Sequence, residues 1–557
     1  MQDGSVESDH YDVVIVGSGA AGSFAAKELT EQGLTVLVLD AGRKVGPADF
    51  TSLKRNAAAR GVQLRARMLA TVTGQPLQAR VAFFNAAMKR FLVKDWLHPY
   101  RTPKDAPFLW VRGRQVGGRL HVFGRVLFRW SDHEFKADTA PWPISYDDLA
   151  PWYERVERFL GLHGNRDGVE TAPDGVMAEP AILTAYETGF KQAVERRWPD
   201  RKVICWRFAP PDREALPAAL VAARESGRMT LQPDAIATEV VADPVTGRAT
   251  GVSYVDRRTG RQRQAVGTAV MVCASPVESV RLLLNSRSAR HPGGFGNSSG
   301  LLGRYFMDQP ASLVFGALPP PPLAQAPGED LPTDPLYGAV GGIIIPRYAN
   351  MDGSSGDDVQ GGYSFQGSAG RDPAFAPGER ADAVVMGYGE MLPYRDNAIT
   401  LDPQRRDRWG MPLPVIRCAL HDNERRMLTK QIAEVVGMIE AAGGSVNAWV
   451  SPLGLEERGQ GLYPKLNPFA RWIVRKMLPR SMVMGAAIHE SGGARMGSDP
   501  ATSVLNRFNQ SWDAPNLFVT DASAFPSGGS MGTTLTVMAL TTRACAHLAR
   551  ELKAGRL

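Results

Sequence analysis

Residues 11–40 read YDVVIVGSGAAGSFAAKELTEQGLTVLVLD, and this stretch decides the fold. It opens with a short apolar run rich in β-branched residues, Tyr11–Val16, and a glycine-rich turn follows. A helix-like stretch then runs to about Gln32, and a second apolar run, Leu34–Leu39, ends at Asp40. These patterns predict a strand, a tight turn, a helix and a second strand, in that order along the chain.

The turn between the first strand and the helix carries the chemistry of this unit. It consists of Gly17, Ser18, Gly19, Ala20, Ala21 and Gly22. Gly17 allows the tight turn, Gly19 lets the backbone approach a pyrophosphate, and Gly22 lets the helix pack closely on the strand. The helix N-terminus, formed by the two alanines, presents unpaired N–H groups and the positive end of its dipole to phosphates. Asp40 can accept hydrogen bonds from ribose hydroxyls, so the unit predicts a bound dinucleotide.

Bulk composition indicates an ordinary globular protein of two or more domains. The chain has 557 residues, of which 44% are hydrophobic and 22% are charged. Its net charge of +7 comes from dispersed arginines, without the clustered stripe or the module that nucleic-acid binding requires. The cysteines are scattered and lack metal-ligand spacing; they are Cys205, Cys273, Cys418 and Cys545. We therefore expect free thiols in a reduced compartment, no metal site and no nucleic-acid partner.

Hydropathy predicts no membrane-spanning segment, because no run of about 18 apolar residues exists. The N-terminal stretch MQDGSVESDHYD is acidic and polar and does not resemble a signal peptide, so we expect a cytoplasmic protein; export with a partner subunit stays open. Two segments, about 55–94 and 465–478, mix basic and apolar residues. We expect a surface helix with Trp472 and Ile473 facing inward in the second; a lid, a membrane contact or a partner contact is the alternative for either.

The rest of the chain divides into recognisable blocks. Residues 149–160 and 422–442 have the periodicity of amphipathic helices. Residues 228–273 read as three strands, MTLQPDAIATEVVAD, ATGVSYVD and AVGTAVMVCAS, with turn signals at Asp243-Pro244 and Thr259-Gly260 between them. Residues 318–360 are rich in Pro and Gly and predict irregular loops.

Four separated motifs resemble one family. The first is the strand–turn–helix–strand unit, and the second is RQVGG at 114–118 with Gly124-Arg125. The third is PVESVRLLLNS at 276–286 with GNSSGLLGRYFMD at 296–308. The fourth is HESGGARMG at 489–497 with NLFVTDASAFP at 516–526 and GTTLT at 532–536. Together they resemble the glucose–methanol–choline (GMC) family of FAD-dependent oxidoreductases, particularly its bacterial sugar and polyol dehydrogenases and its pyranose oxidases. The resemblance extends from residue 11 to about 550.

The resemblance implies a two-domain α/β architecture. A Rossmann-type FAD-binding domain is assembled from separate pieces, and a substrate domain built on an antiparallel sheet flanked by helices is inserted between them. The implied FAD-binding pieces are residues 1–150, with a helical, lid-like segment at 50–110, residues 228–312 and residues 485–557. The implied substrate-domain pieces are residues 151–227 and 313–484.

The resemblance also implies cofactor contacts outside the first motif. The implied residues are Arg114, Gly117, Gly118, Val240, Asp521, Met531, Gly532 and Thr533. Val240 matches the position whose backbone contacts adenine, and Asp521 matches the acidic residue near the pyrophosphate and the ribityl chain. Met531 to Thr533 lead into the last helix, whose N-terminus would face the flavin N1/C2=O edge and stabilise negative charge there.

Some relatives attach FAD covalently through a histidine just after the paired glycines. His121 is offset from that place by one residue, and Val122 stands at the attachment position. The resemblance therefore favours non-covalent FAD. His121 either lines the dimethylbenzene edge of the flavin or packs in the core, and the sequence does not decide between the two.

Alcohol oxidation by a flavin needs a base for the hydroxyl proton, and histidine suits that role because its pKa lies near neutrality. His489, one of nine histidines, stands where the family keeps its catalytic histidine. Relatives carry a second His or Asn beside the flavin, commonly in Asn-Pro-Thr-Leu-Thr, and this chain has Gly532 there. Thr533, Ser530, a group on another loop or a water molecule is the candidate replacement. Gln309 also departs from the pattern, because relatives often show His at that position.

The function expected from these residues is FAD-dependent oxidation of an alcohol, with a sugar or glycoside as the preferred substrate class. A dehydrogenase is favoured over an oxidase, because nothing in the sequence indicates an oxygen pocket. Two alternatives stay open. One is a lyase in which the flavin is structural, and the other is the catalytic subunit of a membrane-linked dehydrogenase complex.

Overall fold

The computed structural model describes residues 10–50, 64–137, 140–210, 214–320, 331–334, 336–351, 358–371, 379–463 and 466–557. The strands are β1 (His10–Val16), β2 (Val36–Leu39), β3 (Ile204–Cys205), β4 (Met229–Gln232), β5 (Ala235–Ala242), β6 (Ala249–Asp256), β7 (Gln262–Val272), β8 (Ala311–Leu318), β9 (Thr333–Asp334), β10 (Gly338–Ala339), β11 (Ile343–Ile345), β12 (Tyr363–Ala369), β13 (Ala381–Gly389), β14 (Ala398–Arg406), β15 (Pro412–Arg417), β16 (Ser445–Ser451), β17 (Gly454–Glu457) and β18 (Leu517–Val519). The α-helices are α1 (Ala20–Glu31), α2 (Leu64–Val72), α3 (Asp132–Phe135), α4 (Tyr146–Leu160), α5 (Ala185–Arg197), α6 (Ala218–Glu225), α7 (Pro276–Asn285), α8 (Asp422–Ala441), α9 (Pro468–Ser481) and α10 (Thr534–Lys553).

The first sheet is built around β1 and has the strand order β4-β2-β1-β7-β6-β5. Its central strands are parallel, with Val13 of β1 opposite Val36 of β2 and Ala269 of β7. β18 also runs parallel to the end of β7, whereas β5 and β6 form an antiparallel extension. Parallel strands covered on both faces need apolar side chains throughout, which explains the continuous apolar runs in β1 and β2. The predicted strand–helix–strand unit is confirmed.

One predicted strand is divided in two. The stretch MTLQPDAIATEVVAD forms β4, which pairs in parallel with β2, and β5, which pairs antiparallel with β6. The break falls at Pro233-Asp234, where proline has no N–H for a sheet and Asp234 has a φ of +58°. The two halves therefore lie at opposite edges of the first sheet.

The second sheet is antiparallel and has the order β17-β16-β8-β13-β12-β11-β3. It combines β3, from the chain between α5 and α6, with strands that follow residue 310. Helix α8 packs on β8, β13 and β16, and α5 packs on α8, so their apolar side chains form a separate core with the sheet. Residues 318–360 are mostly irregular where they are described, but β11 within them belongs to this sheet.

The C-terminal helix returns to the first one. α10 packs against α1 and α4, and α1 also packs against α6. These contacts bring α10, more than five hundred residues along the chain, against α1, and Cys545 of α10 lies beside Ala25 of α1. Their buried side chains belong to the same core as β1, β2 and β7.

The second basic-apolar segment forms a surface helix, whereas the described part of the first also contributes buried side chains to a core. In α9 the buried side chains are Val474, Leu478 and Ser481, while Trp472 is 56% exposed and Phe469 is 70% exposed. The expectation that Trp472 faces inward is therefore wrong, because the i,i+4 pair Val474 and Leu478 forms the buried stripe instead. Residues 51–63 of the other segment lie outside the described residues, and its described part holds α2 and two short 3-10 turns. Among the described helices, none has the length and apolarity needed to cross a bilayer.

The four cysteines are buried and free, as expected. Across the described residues, no cluster of three or more His, Cys, Asp or Glu side chains has the arrangement of a metal site.

Candidate active site

A cavity of about 610 Å³ is lined by residues of both sheets. The first sheet contributes the ends of β1 and β2 together with β5, and the second contributes β12 and β13. The predicted site residues that line it are Gly17, Gly19, Ala20, Ala21, Asp40, Arg114, Gly118, Asp521, His489, Met531, Gly532 and Thr533. Gly22, Gly117 and Val240 are not among the lining residues.

The glycine turn has the geometry that its sequence predicts. Gly17 has a φ of +96°, a backbone conformation that residues with a side chain rarely adopt. A Cβ on Gly22 would lie 1.8 Å from the carbonyl oxygen of Gly17, so no other residue fits between α1 and the turn. Gly19 borders open space, since a Cβ there would meet nothing within 4 Å. The turn therefore closes tightly and leaves its backbone open to the cavity.

Asp40 lies at the end of β2 and is held by the turn. Its Oδ2 accepts hydrogen bonds from the backbone N–H (3.2 Å) and the Oγ (2.5 Å) of Ser18, and its Oδ1 accepts one from the N–H of Gly42 at 2.8 Å. Burial raises the pKa of this carboxyl, and these hydrogen bonds oppose the rise. Gly117 donates its N–H to the Oγ of Ser18 at 2.9 Å, so it supports the turn from behind without lining the cavity.

Arg114 and Glu278 form a charged wall of the cavity. Nη1 of Arg114 lies 2.7 Å from Nδ1 of His98, and its Nη2 lies 3.5 Å from Oε1 of Glu278. Burial alone would raise the pKa of Glu278, but the charges of Arg281, Arg114 and Arg112 lower it to about 2. Glu278 is therefore a carboxylate at neutral pH, and motif reasoning did not single it out as a site residue.

Val240 does not line the cavity, and its predicted backbone contact with adenine stays a prediction. Its backbone N–H donates to Oγ of Ser286 at 2.8 Å, and its side chain is buried away from the cavity. The residues of β5 that line the cavity are Ala235, Ile236 and Ala237. A register shift between Ala237 and Glu239 changes which residues of this strand face inward.

Three helix N-termini converge on the cavity. Gly19 begins α1, Ser275 begins α7 and Thr533 begins α10, and all three line the cavity without a side-chain cap. By contrast, Ser145 and Thr184 cap α4 and α5 with their own hydroxyls. Uncapped first turns leave N–H donors and positive dipole ends available for an anionic or polar ligand.

Asp521 supports the start of α7. It accepts hydrogen bonds from Oγ of Ser279, in α7, and from the N–H of Ser523 at 2.9 Å. Burial raises its pKa, and the hydrogen bonds oppose that rise. Its carboxyl group therefore ties the chain after β18 to the start of α7 beside the cavity.

His489 lines the opposite end of the cavity and is fixed on several sides. Its Nδ1 lies 2.6 Å from Oε1 of Gln309, and its backbone N–H donates to Oδ1 of Asp308 at 3.0 Å. The ring of Tyr388 packs beside it with a centroid distance of 5.2 Å. Within the described chain, Nε2 has no hydrogen-bond partner.

Burial controls the protonation of this end of the cavity. Burial, followed by the charge of Arg119, lowers the pKa of His489 to about 4. Burial and the nearby Glu490 raise the pKa of Asp308 to about 7, although Asp308 accepts N–H groups from Gly485 and His489. His489 is therefore a neutral imidazole near pH 7, which is the form that can take up a proton.

Gly532 lies directly beside the imidazole. A Cβ built on it would be 3.7 Å from Nε2 of His489, an ordinary van der Waals distance. Thr533 lines the cavity at the start of α10, and Ser530 has a buried Oγ without a hydrogen-bond partner among the described residues. The position where relatives carry a second polar side chain thus faces His489 and has room for one.

Motif reasoning missed the polar wall that the second sheet contributes. Ser364, Gln366 and Ser368 alternate along β12 and all line the cavity, since side chains two apart share a face of a strand. Arg119 and Glu490 also line it and pair at 2.8 Å. Alternation of polar residues in residues 363–369 was the available signal, but sequence alone does not tell which face of a strand meets a ligand.

His121 does not line the cavity. It is buried, its Nε2 lies 2.8 Å from the carbonyl oxygen of Val116, and its ring stacks on Phe91 at 5.7 Å. Val122, the next residue, does line the cavity. Of the two roles left open for His121, the structure assigns packing.

Comparison with known proteins agrees with this geometry. The family described as GMC oxidoreductase matches at residues 11–311 with its N-terminal model and at residues 393–541 with its C-terminal model. The chain is 27% identical to 2-methyl-1,2-propanediol dehydrogenase of Mycolicibacterium austroafricanum, covering 98% of this chain and 96% of that one. It is 24% identical to paromamine 6'-oxidase of Streptomyces fradiae (97% and 92%) and 22% identical to the fructose dehydrogenase large subunit of Gluconobacter japonicus (98% and 98%).

Solved structures share the fold. Formate oxidase matches with a TM-score of 0.65 at 16% identity, covering 99% of this chain and 100% of that one. Pyridoxine 4-oxidase from Mesorbium loti matches with a TM-score of 0.59 at 17% identity, covering 97% and 99%. The opening dinucleotide unit, the histidine at the far end of the cavity and the two matching family models lead to one conclusion: the chain belongs to the GMC oxidoreductase family.

Proposed function

We propose that this protein binds FAD without a covalent link and oxidises a hydroxyl group of a polyol, sugar or glycoside to a carbonyl. The observation that carries the proposal is His489, which lines the same cavity as the dinucleotide turn and whose Nε2 lies beside Gly532 without a hydrogen-bond partner among the described residues. The names of the relatives, which include a diol dehydrogenase and a fructose dehydrogenase, support this substrate class.

The residues of the cavity fit FAD. The open backbone at Gly19 and the carboxylate of Asp40 would hold the pyrophosphate and a ribose, respectively. The uncapped start of α10 would face the pyrimidine edge of the flavin, where a positive dipole end stabilises negative charge. The packing of His121 in the core rather than at the cavity surface supports non-covalent binding.

The sorting of the strands supports the proposed division into five segments. The strands of the first sheet come from residues 1–150, 228–312 and 485–557, which we assign to FAD binding. The second sheet comes from residues 151–227 and 313–484, apart from the first two residues of β8, and we assign it to substrate binding.

When bound, FAD supplies an acceptor for the hydride of the carbinol carbon. The protein supplies the base, because neutral His489 takes the hydroxyl proton on Nε2. Gln309, whose amide is also bonded to the turn at residues 528–531, and the ring of Tyr388 hold the imidazole in the cavity. Charge that develops on the substrate oxygen lies near the imidazolium that results from proton transfer, and this attraction favours the reaction.

The polar row on β12 supports a substrate with several hydroxyl groups. Ser364, Gln366 and Ser368 offer donors and acceptors along one wall, whereas a simple alcohol needs only the group beside the base. Gly532 leaves additional room next to His489, which suits a bulky substrate. Ser530, with its free buried hydroxyl, and Thr533 are the candidates to replace the missing side chain at Gly532.

Anaerobic mixing of the yellow protein with polyols, sugars and glycosides tests the proposal. We expect bleaching of the flavin absorbance and formation of the carbonyl product. Cleavage of the substrate without bleaching would instead support a lyase with a structural flavin, and the absence of both bleaching and any product with the whole panel would reject the proposed substrate class.

A second candidate function is electron transfer from the flavin to a membrane-linked acceptor. Met68, Leu69 and Val72 of α2 and Phe469 and Trp472 of α9 are exposed, and both helices pack against the 3-10 turn Gln78–Arg80. Helix α9 contains several basic residues and no acidic one. This face favours a dehydrogenase that passes electrons to a partner or membrane acceptor; faster reoxidation of the flavin by oxygen than by an artificial dye would argue against it.

A further inference from the structure

The side chain of Gln309 is 1% exposed and uses both ends of its amide. Its Nε2 lies 2.9 Å from the carbonyl oxygens of Gly529 and Met531 and 3.2 Å from that of Gly528. Its Oε1 lies 2.6 Å from Nδ1 of His489. One buried amide therefore touches both the imidazole and the turn that leads into α10.

The three carbonyl oxygens decide how this amide is oriented. A carbonyl oxygen only accepts hydrogen bonds, so the NH₂ end of Gln309 must face the turn. The reverse orientation would place Oε1 against three other oxygens and leave those acceptors and the amide unpaired in the protein interior. Oε1 is consequently the atom that faces His489.

The orientation of the amide determines which nitrogen of His489 carries the proton. Oε1 can only accept, so Nδ1 must be the donor in this 2.6 Å contact. A neutral imidazole has one N–H, which leaves the lone pair on Nε2. Nε2 is the nitrogen beside Gly532, at the cavity surface.

We propose that Gln309 is a positioning residue that holds His489 in the tautomer with hydrogen on Nδ1 and a free Nε2 facing the cavity, and that ties this base to the turn at residues 528–531. The inference rests on the proposed function only in taking Nε2 as the base of the reaction. A glutamine commits the imidazole to one tautomer because its oxygen cannot donate. The histidine that relatives often show at this position can donate or accept, so it does not fix the tautomer of the imidazole as the glutamine of this chain does.

The amide of Gln309 also holds the imidazole after Nε2 has taken up a proton. The Nδ1–H to Oε1 hydrogen bond persists when Nε2 is protonated, so the imidazolium keeps its orientation. Gln309 adds no charge, and the charged or titratable groups around the imidazole are Asp308, Arg119, Glu490 and Tyr388. The contribution of Gln309 is therefore one of orientation and tautomer.

Nitrogen NMR of ¹⁵N-histidine-labelled holoprotein tests the proposal without an activity assay. The resonances of His489 are identified by their loss in a His489→Gln variant. We expect a protonated, pyrrole-type signal for Nδ1 and an unprotonated, pyridine-type signal for Nε2 at neutral pH. The opposite assignment in the native protein would overturn the proposal, and this outcome needs no variant of Gln309 to fold.

The variant Gln309→Met keeps the length of the side chain and removes its hydrogen bonds. We expect a mixture of tautomers in the NMR spectrum and a fall of roughly 10²-fold in the rate of flavin reduction, below the 10⁴-fold loss seen when a catalytic histidine is held in the wrong tautomer. Gln431→Met is the matched control, since Gln431 is also fully buried but contacts Ser312 and Pro310 instead of His489.

Three results show which part of the account fails. An unchanged tautomer and an unchanged rate in Gln309→Met would reject the positioning role. If no alcohol reduces the flavin but the native spectrum has hydrogen on Nδ1, the proposed function fails while the tautomer assignment stands. A Gln431→Met variant that shows the same loss would also contradict the proposal, because the effect would then be a general one of core packing.

Discussion

The two ends of the cavity are built in different ways. At the dinucleotide end, the glycine turn and Asp40 come from one continuous stretch, residues 17–40, which presents backbone groups and one carboxyl group. The reactive end brings together side chains from distant parts of the chain, among them Gln309, Tyr388 and His489. Recognition of phosphates thus depends on local backbone geometry, whereas proton transfer depends on long-range packing.

The largest effect is expected at the reactive end, in the variant His489→Ala. Loss of the base should lower the rate of flavin reduction roughly 10²–10⁴-fold, while the protein stays folded and yellow because the dinucleotide end is intact. Stopped-flow measurement of flavin bleaching checks this prediction. Full activity in the variant would remove His489 from the mechanism.

Gly532→Asn restores a side chain that relatives carry at the reactive end. A hydrogen bond to developing charge is worth about 2.7–4 kcal/mol, so we expect flavin reduction by small alcohols to rise by up to roughly 10²–10³-fold. The variant Gly532→Ala is the control, since its Cβ fits at 3.7 Å from His489 but offers no polar group. Loss of flavin in both variants would show that glycine is required for the backbone instead.

Gly22→Ala probes the dinucleotide end. The new Cβ would overlap the carbonyl oxygen of Gly17, so α1 must move away from the turn, at a cost of about 1–3 kcal/mol in the free energy of unfolding. We expect weaker FAD binding and unchanged reduction kinetics in the molecules that keep FAD. Thermal unfolding measures the loss of stability, and flavin titration measures the weaker FAD binding.

The control for Gly22→Ala is Gly189→Ala, in α5, where a Cβ meets nothing within 4 Å. This exchange should stabilise the protein slightly, because alanine is the better helix former. Equal destabilisation by the two variants would contradict the packing role of Gly22.

The smallest effect is expected for Thr533→Val. The hydroxyl of Thr533 caps no helical N–H, so its removal should not unfold the start of α10. If it contacts substrate, the loss of one hydrogen bond of about 1 kcal/mol should slow flavin reduction roughly fivefold. A loss as large as that of His489→Ala would instead make Thr533 essential to the chemistry.

The same contrast explains what the sequence could and could not predict. The turn at residues 17–22 was predictable because backbone conformation, spacing and close packing all require glycine or small residues there. The residues of β5 that face the cavity were not predictable, because the register shift in this strand leaves no mark in the composition. The partnership of Gln309 with His489 joins residues 180 positions apart, and only the packing of the two sheets brings them together.

The surface helix gives a second example. Apolar residues occur on both sides of α9, so periodicity alone could not tell the buried pair Val474 and Leu478 from the exposed pair Phe469 and Trp472. Which pair is buried depends on which side of α9 packs against the second sheet and the turn at residues 78–80.

The central claim is that the free Nε2 of His489 accepts the substrate proton, and the pH dependence of flavin reduction tests it most directly. Burial lowers the pKa of His489 to about 4, so the imidazole is neutral above that pH and protonated below it. With a polyol or sugar that bleaches the flavin, the rate should rise with pH through about 4 and then stay level until Asp308, whose pKa is about 7, begins to ionise; the rise through about 4 should be absent in His489→Ala. The same rise in His489→Ala would contradict the account, because the proton would then go to another group.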